Sequence, residues 1–492
     1  MKTVGIITRR FKTEKVLYSV LATMAILLYF TIQAVASVAL PVSKPNTADT
    51  SVSAILKSQL TANQTMLYFP RSVERFYQQT GYKLVWVAPD TVKTHAPEAM
   101  LLLDCILHYG LNHNDYHPEE LLYDKLSAMT AKGNKINDNE KARFDVMLTD
   151  AMITFMNHLH YGKFNPDYTT AKIEGGGNAA FSAGALLENA LHQKKFMSAI
   201  ESAQPSSKEY ADMQDHMRLL TGQYQADCYE VPPRDIIKMA INLERLRWLN
   251  SEDKTYIEIN IPAYTLIFHK SDTAYQFKVI VGKPANPTPV LQSSIGYFTT
   301  APDWKVPQSI FVKKILPKAL KDAAYLENNH FAIYDHKKHY VTADKNNLAL
   351  VTKNPENYYA RQSSGCDNSL GLIVFRFPNP FDVYLHDTPE QNLFAKETRD
   401  FSHGCIRVEH AEKLAALLLK NDGAANKLSS MRRALQVYET RTFTLKKIVP
   451  IKITYLTCEV KEGLLITYPD IYNLDKGLEI SMYSNEQIFS SR

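Results

Sequence analysis

A cysteine and a histidine nineteen positions apart are the residues of this chain best suited to covalent chemistry. Cys405 follows Gly404 in the stretch Ser402-His403-Gly404-Cys405-Ile406-Arg407-Val408-Glu409-His410, and His386 lies upstream in Tyr384-Leu385-His386-Asp387. A free thiol has a pKa of about 8.5 and attacks carbonyls as the thiolate, so its site must supply a base or a positive field. His386 supplies the base if its strand runs beside Cys405. Side chains alternate faces along a strand, so Tyr384 and His386 share a face and Asp387 points away. A backbone carbonyl, rather than the Asp387 carboxylate, is therefore expected to orient the imidazole. Glycine at 404 permits a sharp turn, and the amides of Gly404 and Cys405 then form a candidate oxyanion hole, worth ~3 kcal/mol per donor in acyl transfer. Tyr384 is a further candidate donor. Arg407 shares the face of Cys405 on an extended backbone and is the candidate bidentate clamp for a substrate carboxylate.

The chain contains its own control. Ser363-Ser364-Gly365-Cys366 repeats the glycine-cysteine pair, but Asp367-Asn368 follows and the nearest upstream histidine, His339, belongs to another segment. Cys366 lacks a base and reads as a loop residue.

The positioning elements form two halves. Up to residue 222 the apolar periodicity is helical: a short helix around 99–107 stopped by Gly110, a strong helix over 140–161, and helical residues over 183–222 broken at Gln204-Pro205. After Val231-Pro232-Pro233 a helix from Asp235 to Trp248 leads into strand-type alternation at 256–261, 265–268 and 277–282. Residues 371–377 and 383–386 read as strands, 409–419 as an amphipathic helix opened just after the cysteine, and 449–457 and 464–468 as closing strands. The Lys- and Asn-rich stretch 309–352 reads as a helical and loop insertion. The resulting fold class is α+β multidomain, with a helical domain at 66–230, a mostly β domain at 231–475 and a tail at 476–492.

Composition narrows the function. The 492 residues are 45% hydrophobic and 22% charged, ordinary for folded domains, and too many for one core. The net charge of +5 is concentrated at the start, where Lys2, Arg9, Arg10, Lys12 and Lys15 face only Glu14. Nothing basic enough for nucleic acid remains elsewhere. The five cysteines form no CxxC pair, and an odd number leaves at least one thiol free. His108, His113 and His117 sit around a turn without convergent ligands, and Gly175-Gly176-Gly177 lacks the Lys-Ser/Thr of a phosphate loop. Neither a metal nor another cofactor is expected.

No charge occurs between Lys15 and Lys44, and 16–40 is long enough to cross a hydrocarbon core of roughly 30 Å. The basic flank predicts a cytoplasmic start with the remainder exported. Ala34-Val35-Ala36 and Ser37-Val38-Ala39 also resemble signal-peptide cleavage sites. Residues 1–40 are thus either an inner-membrane anchor or a cleaved signal, and 41–65, rich in Ser, Thr and Asn, reads as a linker.

His386 followed by Ser402-His403-Gly404-Cys405-Ile406-Arg407 resembles the active-site signature of L,D-transpeptidases, cysteine enzymes that remodel peptidoglycan. Val281-Gly282-Lys283-Pro284, Pro302-Asp303-Trp304-Lys305-Val306-Pro307, Asn368-Ser369-Leu370-Gly371 and Asp470-Ile471-Tyr472-Asn473 are similar to stretches of its large, membrane-anchored branch, and 110–117 with His160-Tyr161-Gly162-Lys163 resembles that branch's helical scaffold domain. Glu409 departs from the Asn or Gln expected there, and no helical peptidoglycan-binding repeat is recognisable between 165 and 230. The resemblance implies a periplasmic enzyme acting on donor and acceptor peptidoglycan stem peptides. Cys405 would expel D-Ala from a tetrapeptide stem and pass the acyl group to a side-chain amine, giving a 3→3 cross-link. It also implies acylation by carbapenems. Because some relatives carry Ser in place of His403, His386 is the better base, and His403 and Ser402 are assigned to substrate contacts. Trp304 is expected as a wall and 309–352 as a lid over the donor site. Transfer to water (an L,D-carboxypeptidase) or to a protein lysine keeps the same thioester, and a non-catalytic envelope scaffold is the remaining alternative.

Overall fold

The computed structural model describes residues 47–87, 94–131, 136–222, 233–249, 253–271 and 273–483. The apolar stretch 16–40 and Cys228 lie outside the described residues. No helix among the described residues is long and apolar enough to cross a membrane.

The N-terminal half is built around helix α1, Asp138–Tyr161, which is buried on nearly every side. Asn137 caps it by accepting from Glu140 N–H. Its carboxylates tether the surrounding loops. Asp145 accepts from the Val85, Trp86 and Val87 amides and the Tyr77 hydroxyl, and Asp150 accepts from Tyr68 and Phe69 N–H. His117 Nε2 lies 2.7 Å from Asp150, so this histidine is part of the same tether.

The linker expected at 41–65 is overturned for its described part. Thr47–Ala62 is a helix that packs on Asp138–Tyr161 and buries Leu56 and Leu60. Polar composition concealed a narrow apolar stripe, Val52, Ile55, Leu56 and Leu60, at helical spacing.

The C-terminal half holds a nine-stranded mixed sheet. Its strands are β1 (Thr255–Asn260), β2 (Thr265–Lys270), β3 (Thr273–Gly282), β4 (Leu291–Thr300), and then, beyond a second small sheet, the central strands. That second sheet comprises β5 (Trp304–Lys305), β6 (Phe331–Asp335), β7 (Tyr340–Val341) and β8 (Tyr358–Gln362). The large sheet resumes with β9 (Ile373–Arg376), β10 (Leu385–His386), β11 (Asp400–Ser402), β12 (Ile406–Val408) and β13 (Arg441–Thr454), in the order β11-β3-β12-β10-β9-β4-β13-β1-β2.

Residues 309–352 were expected as helices and loops. They belong instead to a small α/β unit whose four-stranded sheet, order β5-β8-β6-β7, has its own core of Phe311, Leu316, Ile333, Leu348, Val351 and Ala360.

The two halves meet at a seam. Helices Lys208–Gly222 and Pro233–Trp248 share one apolar cluster with Leu456, Cys458 and Met482. Fully buried Arg247 donates to the Tyr109 carbonyl and the Tyr210 hydroxyl and pairs with Glu244. The expected tail at 476–492 is corrected in its described part: Asp475–Tyr483 is a helix docked on Pro233–Trp248, where Asp475 binds Arg245 at 2.6 Å.

Candidate active site

Sheet order brings the chemistry together. Strand β12 lies between β10 and β3, and β10 pairs with β12 in parallel as Leu385↔Ile406 and His386↔Arg407. The residue before each pair's start, Tyr384 and Cys405, therefore also face one another, and Ile406 N–H donates to the Tyr384 carbonyl at 3.1 Å. The Cys405 thiol is half-buried and points towards the Asp382 carbonyl, 3.9 Å away. Burial pushes its pKa above the ordinary thiol value, while the Tyr384 N–H and hydroxyl and the Arg376 charge pull the other way. Tyr384 itself is pushed up by burial and by the neighbouring sulfur.

His386 is buried, and its Nδ1 lies 2.5 Å from the Asp387 carbonyl oxygen. A carbonyl only accepts, so Nδ1 carries the proton in the neutral imidazole, and the Leu370 main chain is a second partner of the ring. Burial and the Arg407 charge push its pKa down to about 3, leaving the imidazole neutral near pH 7. The Asp387 carboxylate faces elsewhere, accepting from Leu372 N–H at 2.9 Å and the Gln391 amide at 3.1 Å. Gly371, at φ +60, makes room for it: a Cβ there would lie 2.5 Å from Asp387 Oδ2. Cys405 and His386 share no hydrogen bond among the described residues. Tyr384 stands between them, its ring centroid 5.7 Å from that of His386. The resting site is thus a thiol and a neutral imidazole rather than an ion pair.

The loop that carries the cysteine is braced from below. Gly404 has φ +115, a conformation that favours glycine. Its N–H donates to Ser402 Oγ at 3.1 Å, and Ser402 Oγ donates to the Cys405 carbonyl at 2.5 Å. The expected use of the Gly404 amide as an oxyanion donor is therefore corrected: Ser402 already occupies it, and buried Ser402 is a brace rather than a substrate contact. Cys405 N–H has no protein acceptor among the described residues and, with the Tyr384 hydroxyl, is the remaining donor. Thr288, missed in the sequence, ties the loop to β3, because its Oγ1 accepts from Gly282 N–H at 2.9 Å and donates to the Gly404 carbonyl at 2.8 Å. The Tyr472 hydroxyl completes this brace by donating to the Gly282 carbonyl at 2.5 Å and accepting from Thr288 N–H at 3.1 Å.

A cleft of about 990 Å³ opens above Cys405, between the large sheet and the α/β unit. Lys305, Pro307, Tyr358 and Tyr359 line one side; Tyr297, Arg376, Phe381 and Tyr384 line the other. Exposed His403 sits at its rim, its pKa lowered by partial burial and by Lys314, Lys283 and Arg407. Two sequence expectations are displaced. Trp304 is buried in the core of the α/β unit rather than in the cleft lining, but its indole sits against Tyr384, so it backs the wall beside Cys405. Arg407 is engaged by Glu390 in an ion pair, and the guanidinium that does face the cleft is Arg376. The amphipathic helix begins at Ala411, after His410 in a left-handed turn, so β12 separates it from Cys405. A helix dipole acts within about its first turn and does not reach this thiol.

Cys366 is exposed on a loop outside the cleft lining. The cluster of metal-type side chains found among the described residues, Glu209, Glu258 and His269, lies across the seam between the halves and not at Cys405.

Comparison with known proteins matches the chain in two segments. Residues 71–217 match the family described as a scaffold domain, and residues 254–434 match the L,D-transpeptidase catalytic domain. A Haemophilus influenzae protein named "Putative L,D-transpeptidase" is 30% identical over 245 residues, which cover 50% of this chain and 49% of the relative. The match thus spans about half the length of that relative.

Proposed function

From a chain that carries an L,D-transpeptidase catalytic domain behind a scaffold domain, we propose a peptidoglycan L,D-transpeptidase that forms 3→3 cross-links in the cell envelope. The observation that carries this reading is the placement of Cys405 in the lining of an open cleft, beside Tyr384 and two strand positions from a carbonyl-held His386.

In the first half-reaction the Cys405 sulfur attacks the carbonyl of the third residue of a tetrapeptide stem, and His386 takes the thiol proton, directly or through water. Cys405 N–H and the Tyr384 hydroxyl stabilise the oxyanion. Collapse breaks the amide bond, His386 protonates the departing amine, and D-Ala leaves. In the second half a side-chain amine of another stem attacks the thioester, His386 accepts its proton, and the thiolate departs and is reprotonated. A neutral resting imidazole suits both proton transfers. The α/β unit, with Tyr358 and Tyr359 facing the cleft, closes over the donor chain.

Incubation with purified tetrapeptide muropeptides tests the acceptor. Cross-linked dimer is the expected product. Tripeptide alone would replace this reading with an L,D-carboxypeptidase, and transfer only to a protein lysine would replace it with an anchoring transferase. Carbapenems, as strained acyl donors, are expected to label Cys405. Anchoring by residues 1–40 and delivery to the periplasm belong to the same proposal.

A further inference from the structure

Arg376 is an unspent cation. It is half-buried at the end of β9, paired across the sheet with Tyr297, and it lines the cleft above Cys405. Its guanidinium lies over the Tyr384 ring, 4.7 Å from the centroid. This cation–π contact ties the guanidinium to the Tyr384 ring without using any of its N–H donors on a carboxylate. No carboxylate of the protein pairs with it among the described residues, although Asp382 and Glu356 line the same cleft. The neighbouring arginines are committed elsewhere, Arg407 to Glu390 and Arg361 to Asp303. Of the other basic side chains in the lining, Lys305 lies over the Tyr359 ring on the far wall, and His403, its pKa lowered, stands at the rim with His336 also in the lining. Arg376 and Cys405 line the same cleft, each in contact with Tyr384, and the Arg376 charge acts to lower the pKa values of Cys405, Tyr384 and His386 alike.

We propose that Arg376 is the specificity determinant of the donor site, binding the terminal carboxylate of a peptide that ends one residue beyond the carbonyl attacked by Cys405. This rests on the acyl-transfer reading above and assigns the residue that recognises the donor. In such a peptide the carboxylate carbon is three bonds from the attacked carbonyl carbon, so its recogniser must line the same cleft as Cys405, as Arg376 does against the Tyr384 ring. Each added residue moves the carboxylate out by roughly 3.3–3.6 Å, beyond a fork held fast against Tyr384. A guanidinium matches a planar carboxylate with two parallel hydrogen bonds, which gives selection by geometry as well as by charge.

The test uses the full-length protein and three donors: the tetrapeptide acid, its C-terminal amide, and the acid extended by one residue. The wild type is expected to prefer the acid over the other two by about tenfold to a hundredfold in kcat/KM, the range of a charge-assisted hydrogen bond. R376Q should lose that factor on the acid and show little further loss on the amide, while R376K should keep part of the preference. An acid preference that persists undiminished in R376Q, or equal rates for acid and amide in the wild type, overturns the proposal. If R376Q does not fold, the wild type and R376K carry the comparison by the same criteria. Alkylation separates this proposal from the function it rests on. If no peptide is turned over, the functional reading fails, and the rate ratio of iodoacetate to iodoacetamide at Cys405 then decides for Arg376. A ratio lowered in R376Q supports a carboxylate-binding cation beside the thiol, and an unchanged ratio overturns it.

Discussion

The Nδ1 of His386 lies 2.5 Å from the carbonyl oxygen of Asp387, so the orienting partner of the imidazole is main chain and not a carboxylate. A carbonyl fixes the tautomer without adding a negative charge that would stabilise imidazolium. With burial, this keeps His386 neutral, and the pKa of Cys405 is itself raised. The site waits as a neutral pair.

That pairing has a kinetic signature. Alkylation of Cys405 by iodoacetamide should accelerate with pH through 9 without a plateau between 6 and 8, because thiolate appears only as the raised thiol pKa is approached. His386→Ala should leave that profile nearly unchanged while lowering peptide turnover by roughly 10²–10⁴-fold. A plateau reached by pH 7 would instead reveal a thiolate–imidazolium pair.

Stability should fall in acid for a related reason. His158 on α1 and His386 are both buried, each with a pKa pushed down to about 3 from 6.5. Between those values the unfolded chain binds protons that the folded chain refuses, so stability present above 6.5 drains away as pH falls towards 3. Asp145 acts in the opposite sense, because burial raises its pKa to about 6 and favours the fold as it protonates. Burial raises Asp387 in the same sense, but His108, His160, His216 and His403 are lowered alongside the two buried histidines, so the histidines prevail. The urea midpoint of the wild type should drop between pH 7 and pH 4.5, and His158→Asn should show a smaller drop. An equal drop in the variant would remove His158 from the account.

Thr288 lets the brace under the nucleophile be tested without touching the nucleophile. Thr288→Val keeps the volume but leaves Gly282 N–H and the Gly404 carbonyl unpaired, at about 1–3 kcal/mol for a buried group. We expect kcat to fall about tenfold with KM little changed, and Thr288→Ser to restore it. Loss of stability without any change in kcat would make Thr288 a purely structural residue.

The helix Thr47–Ala62 has a simpler test. Leu56 is fully buried against the core around α1. Leu56→Ala should cost about 2–4 kcal/mol in urea denaturation followed by scaffold tryptophan fluorescence, since Trp86 lies in the same core. A cost below about 0.5 kcal/mol, the range of a surface change, would return this segment to a linker.

His386 and Arg376 differ in how legible they were in the sequence. Strand alternation sufficed to set Tyr384 and His386 on one side and to send the Asp387 carboxylate away, because period two is a local property of the backbone. Arg376 was invisible by the same logic. It lies 29 positions before Cys405, and only the order β12-β10-β9 carries it to the cleft. Arg407 was placed near the chemistry correctly, but nothing local showed that Glu390, 17 positions away, would engage it. The α/β unit escaped because β5 and β7 are two residues long and the rest is Lys- and Asn-rich, too short a pattern to show alternation. Ser402 and Gly404 were recognised as a motif, yet their mutual hydrogen bond, which spends the amide, depends on the turn's actual geometry.

The Cys405 Sγ is the atom expected to become acylated. Intact-mass spectrometry of the full-length protein after incubation with a carbapenem tests it most directly. The account predicts a single covalent adduct in the wild type and none in Cys405→Ala, with Cys366→Ala labelled as the wild type is. An adduct that persists undiminished in Cys405→Ala would contradict it.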